Sequence, residues 1–395
     1  MTTAVGVGSA DPAAVARHRP AWVEVDHDAI ASNVAALADV VEPAALCAVV
    51  KADGYGHGAV EVARTALTSG ASWLAVAMPA EGAALRAAGI AAPILLLSEP
   101  APQEWADVMA LDLRVTVQRR QTVEGLGGAA VAAGCTASVH LKVDTGMHRI
   151  GVPPADAVEV AAAIDAHPGL TLEGVWTHCP VADEPGNPFT LDQSCRFDEV
   201  VAALGSAGIA PSLVHAANSA AALDHPALRH DLVRCGITVY GLDPSPALHG
   251  RLLLRPALSL AASITDLRVV PAGEAVSYGL RRRCAVDTVV ATVPLGYADG
   301  VTRRLADVGG EVLVGGARRP FAGTITMDQL LVDCGPAGED AADAVAVGDE
   351  VVLLGRQGAA SVGVAEWAER LDTIGYEVTC GISPRVPRRH VGGGR

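Results

Sequence analysis

The sequence predicts an α/β protein, an N-terminal (β/α)8 TIM-like barrel followed by a mostly β C-terminal domain. Three observations predict it. Eight short apolar runs recur over about 210 residues, at the spacing of buried parallel strands. Ala-rich segments of helical length lie between most of them, and beyond Leu254 the rhythm changes to closely spaced strand-like runs with few helices. An open doubly wound sheet is the alternative for the first part, because periodicity alone does not establish closure.

In chain order, residues 1–20 hold no apolar stretch long enough for a secretory signal and read as a frayed leader. The barrel is expected over 21–254. Trp22 to Asp26 alternates as a strand, and Ile30, Val34, Leu37 and Val41 recur at helical spacing behind Asp28, a candidate cap. The eight strands follow as Leu46 to Val50, Trp73 to Ala77, Ile94 to Leu97, Arg114 to Val117, Val139 to Val143, Leu172 to Trp176, Leu213 to Ala216 and Leu232 to Cys235. Helices are expected at Ala59 to Thr68, Glu81 to Ala88, Val123 to Ala133, Ala155 to Ala166 and Gln193 to Ala207. The β domain, expected over 255–390, has strands near Leu258 to Ile264, Thr288 to Val293, Val312 to Val314, Leu330 to Asp333 and Glu350 to Leu354. One late helix is expected at Val364 to Leu371.

Composition excludes several functions. With 50% apolar and 18% charged residues the chain can bury a large core. Its formal charge of −15 argues against nucleic-acid binding, which needs clustered positive charge. The mean hydropathy is positive through Ala and Val, and no run approaches the roughly 18 to 20 apolar residues that span a bilayer. A soluble cytoplasmic protein is expected, with no membrane partner. The eight cysteines show no CxxC pair or regular spacing, so neither a metal site nor a disulfide framework is indicated.

The basic residues are more telling. Of 29, only Lys51 and Lys142 are lysines. Drift towards Arg in a GC-rich genome would explain the rest, leaving Lys where Arg fails, because only Lys can become a neutral amine. Both lysines end predicted strands. In a barrel the active site lies at the C-terminal strand ends, and these are loaded: Lys51 after the first; Lys142, Asp144 and Arg149 after the fifth; His178 after the sixth; Asn218 and Ser219 after the seventh; Arg234 and Gly236 after the eighth. All five tyrosines adjoin glycine, which for Tyr55, Tyr278 and Tyr376 suggests close approach of a ligand and for Tyr240 relief of crowding. No P-loop or GxGxxG follows a strand. Ser219 and the Gly236-Ile237 turn lie instead where barrels hold a phosphate. A strand-end lysine facing a phosphate cup suggests pyridoxal phosphate.

These residues sit in motifs that resemble the bacterial alanine racemases, fold-type III pyridoxal-phosphate enzymes. The motifs are Val49-Val50-Lys51-Ala-Asp-Gly-Tyr-Gly-His-Gly58, Leu141-Lys-Val-Asp-Thr-Gly-Met-His-Arg-Ile-Gly151, Trp176-Thr-His178, Ala217-Asn-Ser219, Arg234-Cys-Gly-Ile237, Val276-Ser-Tyr-Gly279, Gly296-Tyr-Ala-Asp-Gly300, Thr326-Met-Asp-Gln329, Tyr376-Glu-Val378 and Arg385-Val-Pro-Arg388. The resemblance implies racemisation of L- and D-alanine by two bases, supplying D-alanine for peptidoglycan. Lys51 would hold the cofactor as a Schiff base and serve one face of Cα; Tyr278 would serve the other. Arg234 would face the pyridine nitrogen, with His178 linking it to Tyr278. Tyr55, Asn218, Ser219, Gly236, Ile237 and Tyr376 would complete the cofactor site. Arg149 and the Met327 amide, with Asp328 beside it, would hold the substrate carboxylate, and Tyr297 would line the entrance. Tyr278 and Met327 would come from the partner's β domain in a homodimer. Lys142 would be carbamylated by CO2, the alternative being an ordinary lysine paired with Asp144. His148, Cys179-Pro180, Thr326 and Arg282 depart from common family residues, which leaves a serine or broader racemase open. Barrel-only pyridoxal-phosphate carriers lack both a β domain and an equivalent of Tyr278.

Overall fold

The computed structural model describes residues 19–393. After β1 (Ala21–Asp26) come eight parallel strands: β2 (Ala45–Val49), β3 (Trp73–Val76), β4 (Ile94–Leu96), β5 (Leu113–Val117), β6 (Ala137–Lys142), β7 (Leu170–Trp176), β8 (Leu213–His215) and β9 (Leu232–Cys235). They pair in the order β8-β7-β6-β5-β4-β3-β2-β9. The margins of β8 and β9 are linked by Asp231 N to Val214 O and Arg234 N to Ala217 O, both 3.0 Å, so the barrel is nearly closed. Helices such as Ala59–Thr68, Arg120–Ala133 and Phe189–Ser206 cover the outside of the parallel strands, which explains why β4 is buried along its whole length and reads as a continuous apolar run.

Helix His27–Val41 buries the predicted stripe of Ile30, Val34, Leu37 and Val41. Its start differs from expectation. His27 is already helical, so Asp28 lies in the first turn, and its carboxylate accepts from Gly393 N at 2.9 Å. The expected leader falls mainly on residues outside those described. Its end is ordered by a forked ion pair, in which Arg19 donates two 2.8 Å bonds to the buried Asp299 carboxylate.

The barrel expected over 21–254 begins later than that. β1 pairs antiparallel with β10 (Leu258–Ser263) and parallel with Arg388–Val391, and it clusters with Leu258–Val391; the barrel unit runs from His27 to Ala257. The reason lies in β1 itself: its burial alternates, one face in and one face out, as in a sheet covered on a single side, unlike the barrel strands. The second unit holds a seven-stranded mixed sheet built on β10, β1 and Glu350–Gln357. It also holds a three-stranded sheet of Asp266–Val270, Thr288–Val293 and Leu330–Pro336 and a two-stranded one of Ala275–Val276 and Arg282–Arg283. Helix Val364–Leu371 lies where expected, and a second short helix, Gly375–Cys380, carries Tyr376.

Candidate active site

Lys51 follows β2 and opens a tight reversal. Ala52, Asp53, Gly54 and Tyr55 all take left-handed backbone angles, φ 51° to 62°. Such a run is disfavoured for L-residues, and its neighbours hold it: Ala52 N donates to Glu81 Oε1 at 2.6 Å, and Ala59 N to Asp53 Oδ1 at 2.9 Å. Glu81, missed in the sequence, also accepts from Ala77 N and Met78 N. The turn brings the Tyr55 ring to 4.8 Å from Tyr240, whose buried hydroxyl donates to Val49 O at 2.9 Å, the structural role expected for it.

Tyr55 also meets the loop after β9. A Cβ on Gly236 would lie 2.4 Å from Tyr55 Oη, so only glycine lets the phenol approach this main chain. Gly236 N donates to Ser219 Oγ at 2.8 Å, and Thr238 Oγ1 to the same oxygen at 3.2 Å. Ser219 opens helix Ser219–Asp224, capped by Asn218, whose Oδ1 accepts from Ala221 N while Nδ2 donates to Cys179 O. Asn218 is thus a frame for the cup formed by Tyr55, Ser219 and the Gly236-Ile237 turn.

Beside the cup lies a group of cations. Arg234 is buried; NH2 donates to the carbonyls of Thr177 (2.8 Å) and Ala216 (3.0 Å), and NH1 to His215 Nδ1 (2.8 Å). Burial lowers its pKa to about 10, which leaves it charged at neutral pH. Arg234 NH2 is 3.4 Å from His178 Nδ1, the first half of the predicted link. Burial, then the charges of Arg234, Lys142, Arg149 and Lys51, hold His178 neutral far below the usual imidazole range. The predicted barrel residues therefore converge.

Lys142 ends β6 fully inside. Its Nζ sits 3.9 Å from the centroid of the Trp176 ring and has no hydrogen-bond partner. Burial, with Arg234 and Arg149 adding to it, brings its pKa down to about 7. The alternative pairing with Asp144 does not form. That carboxylate accepts from Gly146 N and His148 N, both 3.0 Å, and faces the His148 ring, which folds the Arg149 loop back.

In the β unit, Tyr278 follows Ser277, a non-glycine residue at φ 61°, ψ −179°. Ser277 Oγ donates to Thr324 O at 2.6 Å and Thr324 Oγ1 to Tyr278 O at 2.8 Å, so two crossed bonds hold this strained turn. Tyr278 is 74% exposed. It lines a cavity of about 670 Å³ with Tyr297, Met327 and Asp328. Tyr297 N and Ala298 N donate to the carbonyls of Thr326 and Met327, and a Cβ on the preceding Gly296 would strike both. Asp328 is bound by Arg385 at 2.7 Å, and Arg282 is paired with Asp333. Sequence reading also missed His140 and His215. Both lie within apolar strands, where a histidine passes for a satisfied core residue; their strand positions were the available signal.

Barrel, β unit and these constellations define a class, the racemases built on a lysine-bearing barrel with an appended β domain. The comparisons agree. The family model described as alanine racemase, N-terminal domain, matches residues 25–244, and that for the C-terminal domain matches 257–390. The alanine racemase of Symbiobacterium thermophilum is 44% identical over 374 residues, covering 95% of this chain and 98% of its own. That of Desulfosudis oleivorans is 44% identical over 384 residues, covering 94% and 97%. The crystal structure of alanine racemase from D-cycloserine-producing Streptomyces lavendulae superposes with a TM-score of 0.88 at 42% identity, covering 95% of this chain and 98% of that one. The chain belongs to the alanine racemase family.

Proposed function

We propose that this enzyme interconverts L- and D-alanine with pyridoxal phosphate as cofactor and Lys51 and Tyr278 as its two bases. The observation that carries the reading is the buried Arg234, 3.4 Å from His178, beside the cup of Tyr55, Ser219 and Gly236, with the charges of Lys142, Arg149 and Lys51 also acting on His178.

The residues present suit the cofactor. The cup pairs a hydroxyl, a phenol and turn amides, as a phosphate requires. The Arg234 bonds do not use Nε, which leaves a donor for a pyridine nitrogen. When bound, pyridoxal phosphate supplies a conjugated electron sink that acidifies the substrate Cα proton. Lys51 removes or returns that proton on one face and Tyr278 does so on the other. Two groups are needed, because one base acting from one side restores the starting configuration. Arg234 keeps its own proton and so withholds one from the ring nitrogen, which restrains side reactions. Arg149 and the Met327 amide hold the substrate carboxylate; Tyr376 completes the phosphate site; Tyr297 and Asp328 border the substrate entrance.

A homodimer with shared sites accounts for the exposure of Tyr278 and Met327, 74% and 52% in the single chain. Large apolar or aromatic side chains left this open are suited to a partner. For Lys142, the neutral amine adds to CO2, releasing a proton and leaving a carbamate anion near Arg149 and Arg234; its lowered pKa and its lack of a hydrogen-bond partner support this. Among the described residues no helix is long and apolar enough to cross a membrane, and we place the enzyme in the cytoplasm as a source of D-alanine for peptidoglycan.

The test is to supply cofactor to the full chain and to Lys51→Arg, then follow the chirality of alanine, serine and larger amino acids. Racemisation of alanine by the native chain alone is expected. Activity retained by Lys51→Arg would overturn the assignment.

A further inference from the structure

Across the barrel interior, four side chains from four strands form an unbroken line. Arg234 NH1 lies 2.8 Å from His215 Nδ1; His215 Nε2 lies 2.9 Å from His140 Nδ1; His140 Nε2 lies 3.2 Å from Glu173 Oε2. Arg234 and both histidines are buried, and Glu173, partly exposed, also faces Arg114 Nε at 3.4 Å. Trp176 stacks on His215 at 5.7 Å and 5°, and Trp73 meets His140 edge-on, so neither imidazole has another hydrogen-bonding neighbour on those sides.

The chemistry of the ends fixes the middle. A guanidinium has donors and no acceptor, so His215 Nδ1 must accept and the proton of His215 is on Nε2. That nitrogen then donates to His140 Nδ1, which places the proton of His140 on Nε2, where it donates to the Glu173 carboxylate. Protonating either ring would set two donors face to face, at His215 against Arg234 or at His140 against His215. One direction of donation satisfies all four groups.

We propose that His215 and His140 are positioning residues for Arg234, a one-way hydrogen-bond line that fixes the rotation of the guanidinium and couples its buried charge to Glu173. With NH1 held by this line and NH2 by two carbonyls, Nε has a single direction to face. The functional value of that direction rests on the reading of Arg234 as the partner of the cofactor ring; the line itself does not.

The experiment labels the full-length, cofactor-loaded chain with 15N-histidine and assigns His215 and His140 by substitution. Both rings are expected neutral and protonated at Nε2 across neutral pH. An Nδ1 proton or an imidazolium on either ring would overturn the proposal. In parallel, His215→Leu removes the acceptor, while His215→Asn keeps an oxygen near the place of Nδ1. The expected loss of cofactor affinity for His215→Leu is about tenfold or more, the fold-change for one charge-assisted hydrogen bond, together with a shifted absorption band of the bound cofactor. His215→Asn should recover most of both; equal losses in the two variants would refute positioning. Lys51→Ala separates the two readings: it should abolish covalent cofactor attachment while leaving the histidine tautomers unchanged.

Discussion

Gly236→Ala tests the cofactor cup by steric means alone. The new Cβ would sit 2.4 Å from Tyr55 Oη and 3.0 Å from Cζ, whereas ordinary contact begins at 3.4 Å, so the phenol must retreat by about 1 Å. Its retreat is obstructed. The Tyr55 ring is backed by Tyr240 at 4.8 Å, and Tyr240 is itself tethered to Val49 O. Overfilling a packed site of this kind costs about 1 to 3 kcal/mol. If the displaced group is a phosphate ligand, the Kd for pyridoxal phosphate should rise about 5- to 150-fold. The assay is an absorbance titration of cofactor-free chain, with thermal unfolding in the presence and absence of cofactor. Gly205→Ala is the control: it lies in helix Phe189–Ser206 with nothing within 4 Å of the added carbon, so affinity should not change. Native affinity in Gly236→Ala, with the fold intact, would refute the placement of the phosphate beside Tyr55.

Tyr278→Phe should slow α-proton exchange in D2O from one enantiomer of alanine and largely spare the other; equal effects on both would argue against two bases. For Lys142, the folded-state pKa of about 7 lies below the ordinary 10.5. Between these values the unfolded chain holds a proton that the folded chain has released, so stability rises with pH across the window and the burial penalty is fully present below about 7. Lys142→Met in CO2-free buffer should raise Tm at pH 6 to 7 and flatten the slope above it, and an unchanged slope would contradict the assignment. Intact-mass measurement of native enzyme kept under CO2 should find one carbamate per chain. Asp299→Asn leaves the Arg19 fork underpaired beside a fully buried site and should cost about 3 kcal/mol by denaturant unfolding; because Asp299 Oδ2 also accepts from Gly296 N, the KM for alanine should rise with it.

The barrel was legible because parallel strands covered on both faces must be apolar throughout, and such runs need no partner to be read. β1 was legible as a strand but not as a member of the second unit, since six alternating residues do not say which neighbour they pair with. The alternation itself was the clue, and it pointed away from the barrel. The site was legible wherever polar residues end strands, as with Lys51, Lys142 and Arg234. Its supports were not. Glu81 caps the Lys51 turn from another element, and His215 and His140 gain their meaning only when four strands far apart in sequence become neighbours. The left-handed turn was hidden in part: Asp53-Gly54 is a turn dipeptide, but Ala52 has no such preference and adopts the conformation under the hydrogen bonds around it.

The contrast between Lys142 and Arg234 explains why two lysines persist among so many arginines. Both side chains are buried at the same barrel mouth, and burial is the largest influence on each. It brings the amine to about 7 and the guanidinium only to about 10. At neutral pH one group can therefore surrender its proton and act as a nucleophile, while the other remains a fixed cation. The surroundings match those roles: Arg234 has two carbonyls and a histidine to accept from it, whereas Lys142 Nζ has only the face of Trp176. Lys142→Arg would place a second permanent charge, with no acceptors, near Arg149 and Arg234. An unpaired buried charge of that kind is costly, so drift towards Arg is blocked at this position by physics, even before any carbamate chemistry is considered. At Lys51 the block is chemical, since a guanidinium that keeps its proton can neither bond to an aldehyde carbon nor take a proton from Cα.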